Sequence, residues 1–360
     1  MFSQKKKCAA AVAMALGVSA PYAADELTIY GSVGAAIEAL DNTATSTTEI
    51  SNNHSAFGIK GTKSIDENLS AVYLFDAFVG MDDGDSGGSG SLFGGGRDGW
   101  AGLASDDWGI VALGFQGRPW KTSTNHLDMF GSTIADYSAI MGTQGDPTPG
   151  NTTFDGIYFD GGIGSSLIYF GPDLNGFSWH LQYGADEDDD GSNDFGAQVN
   201  YSQDAWYAAL SYDVDGQVSG NDIEATKLAL SYTLNNRTVL TGIYDQVTNS
   251  SDNSRNAYYF GVGHRIDNTT VKLAFAMADD IDNSTDSGAT YYGLGVSHML
   301  NSDLELFALY AAIDNDSNGG YTFISAPHTS SNGNTLIAAA GDDSSVVSLG
   351  FRYHFAWTHK

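Results

Sequence analysis

Two stretches of this 360-residue chain carry oxygen ligands at the spacing of a calcium loop: Asp186-Glu187-Asp188-Asp189-Asp190-Gly191 and Asp314-Asn315-Asp316-Ser317-Asn318-Gly319. Asp186, Asp188 and Asp190 in the first, and Asp314, Asp316 and Asn318 in the second, alternate ahead of a glycine that would make the sharp turn. Neither stretch has the closing glutamate, since Ala197 and Ser325 stand at the twelfth position. They read first as solvated acidic loops, with weak binding of Ca2+ or Mg2+ as the alternative, and no other cofactor is expected. His54 beside Ser55 invites a hydrolase reading, but no acid or amide partner is in place around it. The eight histidines show no metal-ligand spacing. Gly94-Gly95-Gly96 is not followed by the Lys-Ser or Lys-Thr that a phosphate cradle needs. An enzyme is therefore not expected.

The elements that carry these residues are strands. Glycine numbers 44, proline only 6 and the aromatic residues 43, which suits strands with glycine turns better than packed helices. Fifteen basic against 44 acidic residues give a net charge of -29, far too acidic to track a phosphate backbone, so nucleic acid is excluded as a partner. Lys5, Lys6 and Lys7, the apolar run from Cys8 to Val18 and the small-residue zone Ala20-Pro21-Tyr22-Ala23-Ala24 predict a cleaved secretory signal over residues 1–23. Its removal leaves 12 basic against 44 acidic residues, a balance of -32, and no cysteine. No disulfide can then close the exported fold, and no run of 18 apolar residues offers a transmembrane helix.

Period-two alternation runs through the rest of the chain. Leu228, Leu230, Tyr232 and Leu234 alternate with Lys227, Ala229, Ser231 and Thr233. Val271, Leu273, Phe275 and Met277 alternate with Lys272, Ala274 and Ala276. The connections differ systematically in length. Tight links such as Asn235-Asn236, Asp267-Asn268 and Asn301-Ser302 take turns with polar excursions such as Met81 to Gly96, Asp279 to Gly288 and Asp314 to Ser344. Greasy faces joined by short turns at one end and long loops at the other predict an all-β chain. We expect a closed antiparallel transmembrane β-barrel of sixteen strands, from one near Leu27 to one near Ser345, around a wet lumen. Two segments, Arg237 to Thr248 and Asp303 to Ile313, are apolar on both faces. Trp100, Trp108, Trp179, Trp206, Tyr258, Tyr292, Tyr310 and Tyr353 are expected to form interfacial girdles.

Five short motifs in the right order resemble the general diffusion porins of the Gram-negative outer membrane. They are Leu27-Thr28-Ile29-Tyr30-Gly31-Ser32-Val33, Ser55-Ala56-Phe57-Gly58-Ile59-Lys60-Gly61-Thr62, Gly99-Trp100-Ala101-Gly102-Leu103 with Trp108 to Gly114, Ser166 to Phe170 with Asn175-Gly176-Phe177, and Gly350 to Phe355. The resemblance implies a barrel over residues 24–355 whose third outer loop folds inward. It also implies a homotrimer, lipid and lipopolysaccharide as surroundings, and delivery by the barrel-assembly machinery. Passive diffusion of ions and small hydrophilic solutes is the implied activity; the alternative is a channel selective for a sugar or an organic acid. The chain departs from the family in three ways. Ala356 to Lys360 form a tail after the usual terminal Phe, Ser32 and Phe115 stand where members often carry arginine, and the segment from Gly117 to Gly164 is long.

That segment is the inserted loop by this resemblance. Leu127, Phe130, Ile134, Tyr137 and Met141 recur at spacings of three and four, which predicts one apolar stripe on a short helix packed on the wall. Asp128 and Asp136 fall off the stripe and are expected to face the lumen. Lys60 and Arg118 are the expected basic wall opposite them, with Arg265, Lys272 and Arg352 inward by parity. An acidic vestibule then predicts a preference for cations.

Overall fold

A computed structural model describes residues 25–43, 45–81, 93–143, 159–187, 192–218, 221–323 and 339–360. The expected signal, the expected cation ligands Asp188 and Asp190, and residue 325 lie outside them. No helix among the described residues is long and apolar enough to cross a membrane.

Seventeen strands form one antiparallel sheet: β1 (Glu26–Asn42), β2 (Ser46–Asn52), β3 (Ala56–Ser64), β4 (Ser70–Val79), β5 (Phe93–Ser105), β6 (Gly109–Gly117), β7 (Gly162–Phe170), β8 (Phe177–Gly184), β9 (Asp194–Gln203), β10 (Trp206–Asp215), β11 (Ile223–Leu234), β12 (Thr238–Thr248), β13 (Ser254–Ile266), β14 (Thr269–Ala278), β15 (Ala289–Met299), β16 (Leu304–Asn315) and β17 (Ser344–His359). β2 and β3 are two halves of one stave. Both pair with β1, at Ala35 to Asp41 and at Glu26 to Ser32 respectively, so the staves number sixteen, as expected. The break between them is made by His54, whose φ of 56° no extended strand allows, and by Ser55, whose hydroxyl donates to the Gly34 carbonyl at 3.1 Å and accepts from the Gly34 amide at 3.0 Å. Ser55 therefore repairs the ladder and is not a nucleophile.

β1 pairs with β17 over sixteen residues, and this closes the sheet. Closure removes every edge, which lipid could not satisfy. The residues expected as a tail are part of that seam: Tyr30, Ile29, Thr28 and Leu27 pair with Ala356, Trp357, Thr358 and His359. At the end that holds Glu26 and His359, neighbouring strands are joined by short turns. Asp204, Asn235, Asn236 and Asp267 take left-handed φ between 51° and 56° there, a conformation short polar side chains tolerate. The other end carries the long connections.

One face of the closed sheet is an exposed apolar ladder that includes Leu113, Leu228, Leu230, Leu273, Leu294 and Leu349. It is the lipid face. The opposite parity faces inward and is sealed over β10 to β16, where Ala225, Ala229, Ile243, Val247, Ala257, Ala276, Ala311 and Ile313 are buried. Trp100 corrects the girdle assignment: it points inward, is buried, and donates its indole N–H to Gln116 Oε1 at 2.7 Å. Trp108, Trp206, Tyr292, Tyr310 and Tyr353 are exposed on the outer face, as expected.

Candidate functional site

What seals the inner face of β10 to β16 is the segment after β6. It begins with a four-residue helix, α1 (Pro119–Thr122), and continues through single 3-10 turns at Asn125–Leu127 and Tyr137–Ala139. The expected helix is absent. Ser132, with φ of 63°, breaks it, and the carboxylates bind the local backbone instead. Asp128 accepts from the Phe130 amide (3.0 Å), the Tyr137 amide (3.0 Å) and the Tyr259 hydroxyl (3.0 Å). Asp136 accepts from the Ser138 amide (3.0 Å) and the Ser132 amide (3.2 Å). The apolar stripe survives without the helix, because Leu127, Phe130, Ile134, Tyr137 and Met141 are all buried against the wall.

Five strands of the wall, β10 to β13 and β15, hold the loop by polar contacts. Asp213 on β10 accepts from the Trp120 amide at 2.8 Å. Lys227 on β11 donates to the Trp120 carbonyl at 2.9 Å and to Thr124 Oγ1 at 2.6 Å. Asp245 on β12 accepts from the Gly142 amide at 2.8 Å and pairs with buried Arg255 on β13 at 3.0 Å. Tyr259 on β13 accepts from the Met129 amide at 2.8 Å, and Tyr291 on β15 donates to the Ala135 carbonyl at 2.7 Å. Phe130 fits over Gly293 and Gly295 so closely that a Cβ on either would meet its ring at 2.5 or 2.6 Å. Above the loop, Tyr321 and Phe323 of the last outer connection are buried too, with Phe323 edge-on to Tyr291 at 6.4 Å.

The inner face of β1 to β5 is buried at Ala36, Leu40, Val72, Leu74, Trp100 and Ala104, but between them a row of residues has no such cover. Tyr30, Ser32, Lys60, Asp76, Phe78, Arg97 and Asp98 are all partly exposed there. The Lys60 ammonium stands 5.4 Å over the Tyr30 ring, and the Tyr30 hydroxyl donates to Asp76 Oδ2 at 3.3 Å. Arg97 lies 3.8 Å from the same carboxylate oxygen and 5.1 Å over the Phe78 ring. Arg97 was not legible from parity, which turns it toward lipid. A register shift beside Asp76 makes a β-bulge at Arg97 and Asp98, and a bulge re-aims its side chain.

The expected wall residues separate into distinct environments. Lys60 lies on the open wall. Arg118 does not: its guanidinium is buried at the neck of the loop, paired with Asp215 and, at 3.3 Å, with Asp194. Arg265 is inward by parity but sits at the short-turn rim, donating to the Asn236 carbonyl at 3.2 Å. Lys272 and Arg352 flank Glu305 at 3.9 and 4.0 Å beside Phe130 and Thr133, and Arg352 also donates to the Ser132 carbonyl. Lys121, which nothing in the sequence singled out, pairs with Asp160 at 3.1 Å. Asp128 and Asp136 are partly exposed, so their outer edges reach the lumen while their oxygens staple the loop. Desolvation raises both carboxyls above the ordinary 3.8; Asp136 adds repulsion at Asp128, and Asp160 does so at Asp136.

Four of the six expected divalent-ion ligands, Asp186, Asp314, Asp316 and Asn318, lie among the described residues. Asn318 gives its side-chain amide to the Thr285 carbonyl at 2.8 Å, and Asp314 and Asp316 are exposed. Asp186 is held through its amide by Asn193 Oδ1 at 3.1 Å. Among the described residues no three acidic, His or Cys side chains come together to hold a metal ion.

A family model for Gram-negative porins matches residues 9–318. The chain belongs to the Gram-negative porin family. Members of that family are channel proteins of the outer membrane, not enzymes. The chain is 27% identical over 229 residues to an outer membrane porin protein of Bordetella pertussis, a match covering 63% of this chain. That match spans 52%, about half, of the Bordetella porin's length. Among solved structures, the barrel is similar to an anion-selective porin from Comamonas acidovorans, with a TM-score of 0.76 and 20% identity over 92% of this chain and 100% of the other. It is also similar to OmpF of Salmonella typhi in complex with daunomycin (TM-score 0.68, 15% identity, 92% and 98% coverage). OmpT of Vibrio cholerae in a trimer form is a third (TM-score 0.62, 16% identity, 92% and 100% coverage).

Proposed function

We propose that this porin conducts ions and small hydrophilic solutes passively down the side of the lumen bounded by β1 to β5, and that it prefers cations. One observation carries the reading: the inserted loop covers the inner face of β10 to β16 and leaves that of β1 to β5 partly exposed. Solutes then pass between Asp128, Asp136 and the Lys121–Asp160 pair on the loop side and the row Lys60, Tyr30, Asp76 and Arg97 on the wall. Three features support cation preference. The chain carries -29 overall, Arg118 is spent on Asp194 and Asp215, and Arg97 is spent on Asp76. A wall with one cation unmatched by any carboxylate among the described residues, facing acidic loop edges, concentrates cations. Lipopolysaccharide contact through the acidic outer loops, delivery by the barrel-assembly machinery and a homotrimer belong to the same proposal; the trimer rests on the Vibrio relative.

Planar-bilayer recording tests it. Stepwise conductance with a reversal potential of the sign for cations is the expected result. Closed bilayers would overturn the pore, and an anion-signed reversal potential would overturn the preference. Saturable block by one class of sugar or organic acid would favour the selective channel instead.

A further inference from the structure

The open wall carries the partly exposed acids Asp76 and Asp98; Asp98 is committed to the Gly117 amide at 2.9 Å, whereas Asp76 is set between cations. Asp76 projects inward from β4, on the face that general electrostatics would keep basic opposite the acidic loop. Oδ2 takes the Tyr30 hydroxyl at 3.3 Å and faces Arg97 at 3.8 Å, and Lys60 stands over the same Tyr30 ring. Oδ1 has no hydrogen-bond partner, and the side chain is 9% exposed behind the 35% exposed Arg97. The bulge that brings Arg97 in from the lipid parity makes this pairing possible, and Asp98, inward by parity opposite Asp76, accepts from the Gly117 amide at 2.9 Å.

We infer that Asp76 sets the ionic selectivity of this channel by cancelling Arg97, leaving Lys60 as the wall's unmatched cation. The inference rests on the pore reading above and names the residue that tips it. A carboxylate held out of bulk water acts on the lumen with little screening, so its removal changes the local potential more than removal of an exposed loop acid. The chemistry concerns any permeant ion: Asp76 lowers the barrier for small cations and raises it for small carboxylates and chloride.

The test is the reversal potential of reconstituted full-length channels in a KCl gradient. D76N is expected to lower the ratio of potassium to chloride permeability by at least about twofold, R97Q to raise it, and D76N/R97Q to return it close to the unsubstituted value. A D76N channel that conducts with an unchanged ratio overturns the inference while leaving the pore reading intact. An unsubstituted protein that does not conduct overturns the pore reading itself. If D76N alone fails to fold because Arg97 is left unpaired, R97Q compared with D76N/R97Q isolates the same carboxylate. Equal ratios in those two channels overturn the inference.

Discussion

Asp128 and Asp136 serve the loop and the lumen at once, and their titration couples the two. Burial raises both carboxyls above the ordinary 3.8, so each binds its proton in the folded loop at a pH where it would have lost it in the unfolded chain. The sign follows: these two groups contribute stability at acid pH that is lost as the pH rises through their folded values. Lowering the pH therefore strips charge from the loop edge while the pH is still above the ordinary carboxylate value of 3.8. Cation preference is expected to start falling at a pH above the ordinary carboxylate range, and D128N/D136N to flatten that part of the profile; reversal potentials at stepped pH check it. Asp245 and Arg255 are a different case, an ion pair with both side chains at 0% exposure that also caps the Gly142 amide. Arg255→Leu strands a buried carboxylate and is expected to cost about 3–5 kcal/mol, read from urea unfolding in detergent. At this scale the sequence revealed Lys60 and the loop acids, because parity and the off-stripe positions pointed at them. It concealed Arg97, whose direction depends on a bulge, and it misplaced Arg118, whose two partners on β9 and β10 lie 76 and 97 residues away.

Sixteen staves were legible because each must show lipid an unbroken apolar parity, and a period of two survives every accident of loop length. The two segments that looked apolar on both faces find their explanation in the loop. On β12 the second greasy face is Ile243 and Val247, and on β16 it is Leu309 and Ile313, all buried on the inner side in one cluster with the loop and last-connection residues. The inserted element itself was half legible. Its spacing of three and four marked the residues that touch the wall, but that spacing also arises when short turns bring every third or fourth side chain to one surface. Ser132 at φ of 63° decides for turns. Docking then depends on glycines where aromatic rings descend. Gly293→Val leaves the lipid face untouched, yet its branched side chain has no room beneath Phe130. We expect the barrel to form, the loop to lift from β15, and trypsin to cut at Lys121 in folded protein at a rate at least about tenfold higher. Unchanged cleavage kinetics would show that the loop is held by its polar contacts alone.

For the whole molecule, two sources of cation preference act over different distances. The excess of acid, -29 in all, is spread over outer connections such as residues 279–288, and it attracts counter-ions through solvent. The charges on the open wall and the loop edge act across the strip between the loop and β1 to β5, where low-dielectric walls limit screening. Raising the salt separates them. The Debye length falls from about 10 Å at 0.1 M to about 3 Å at 1 M, so the contribution of the outer loops collapses while that of charges a few ångströms from the permeant ion persists. We expect the permeability ratio to decline between 0.1 and 1 M KCl and to level off above unity. D76N, applied at 1 M, is then expected to remove most of what is left, whereas neutralising Asp280 and Asp282 in the outer connection changes the ratio only at 0.1 M. A ratio that falls to unity at 1 M in the unsubstituted channel would assign the selectivity to the vestibule and leave the open wall as a passage without an ionic filter of its own.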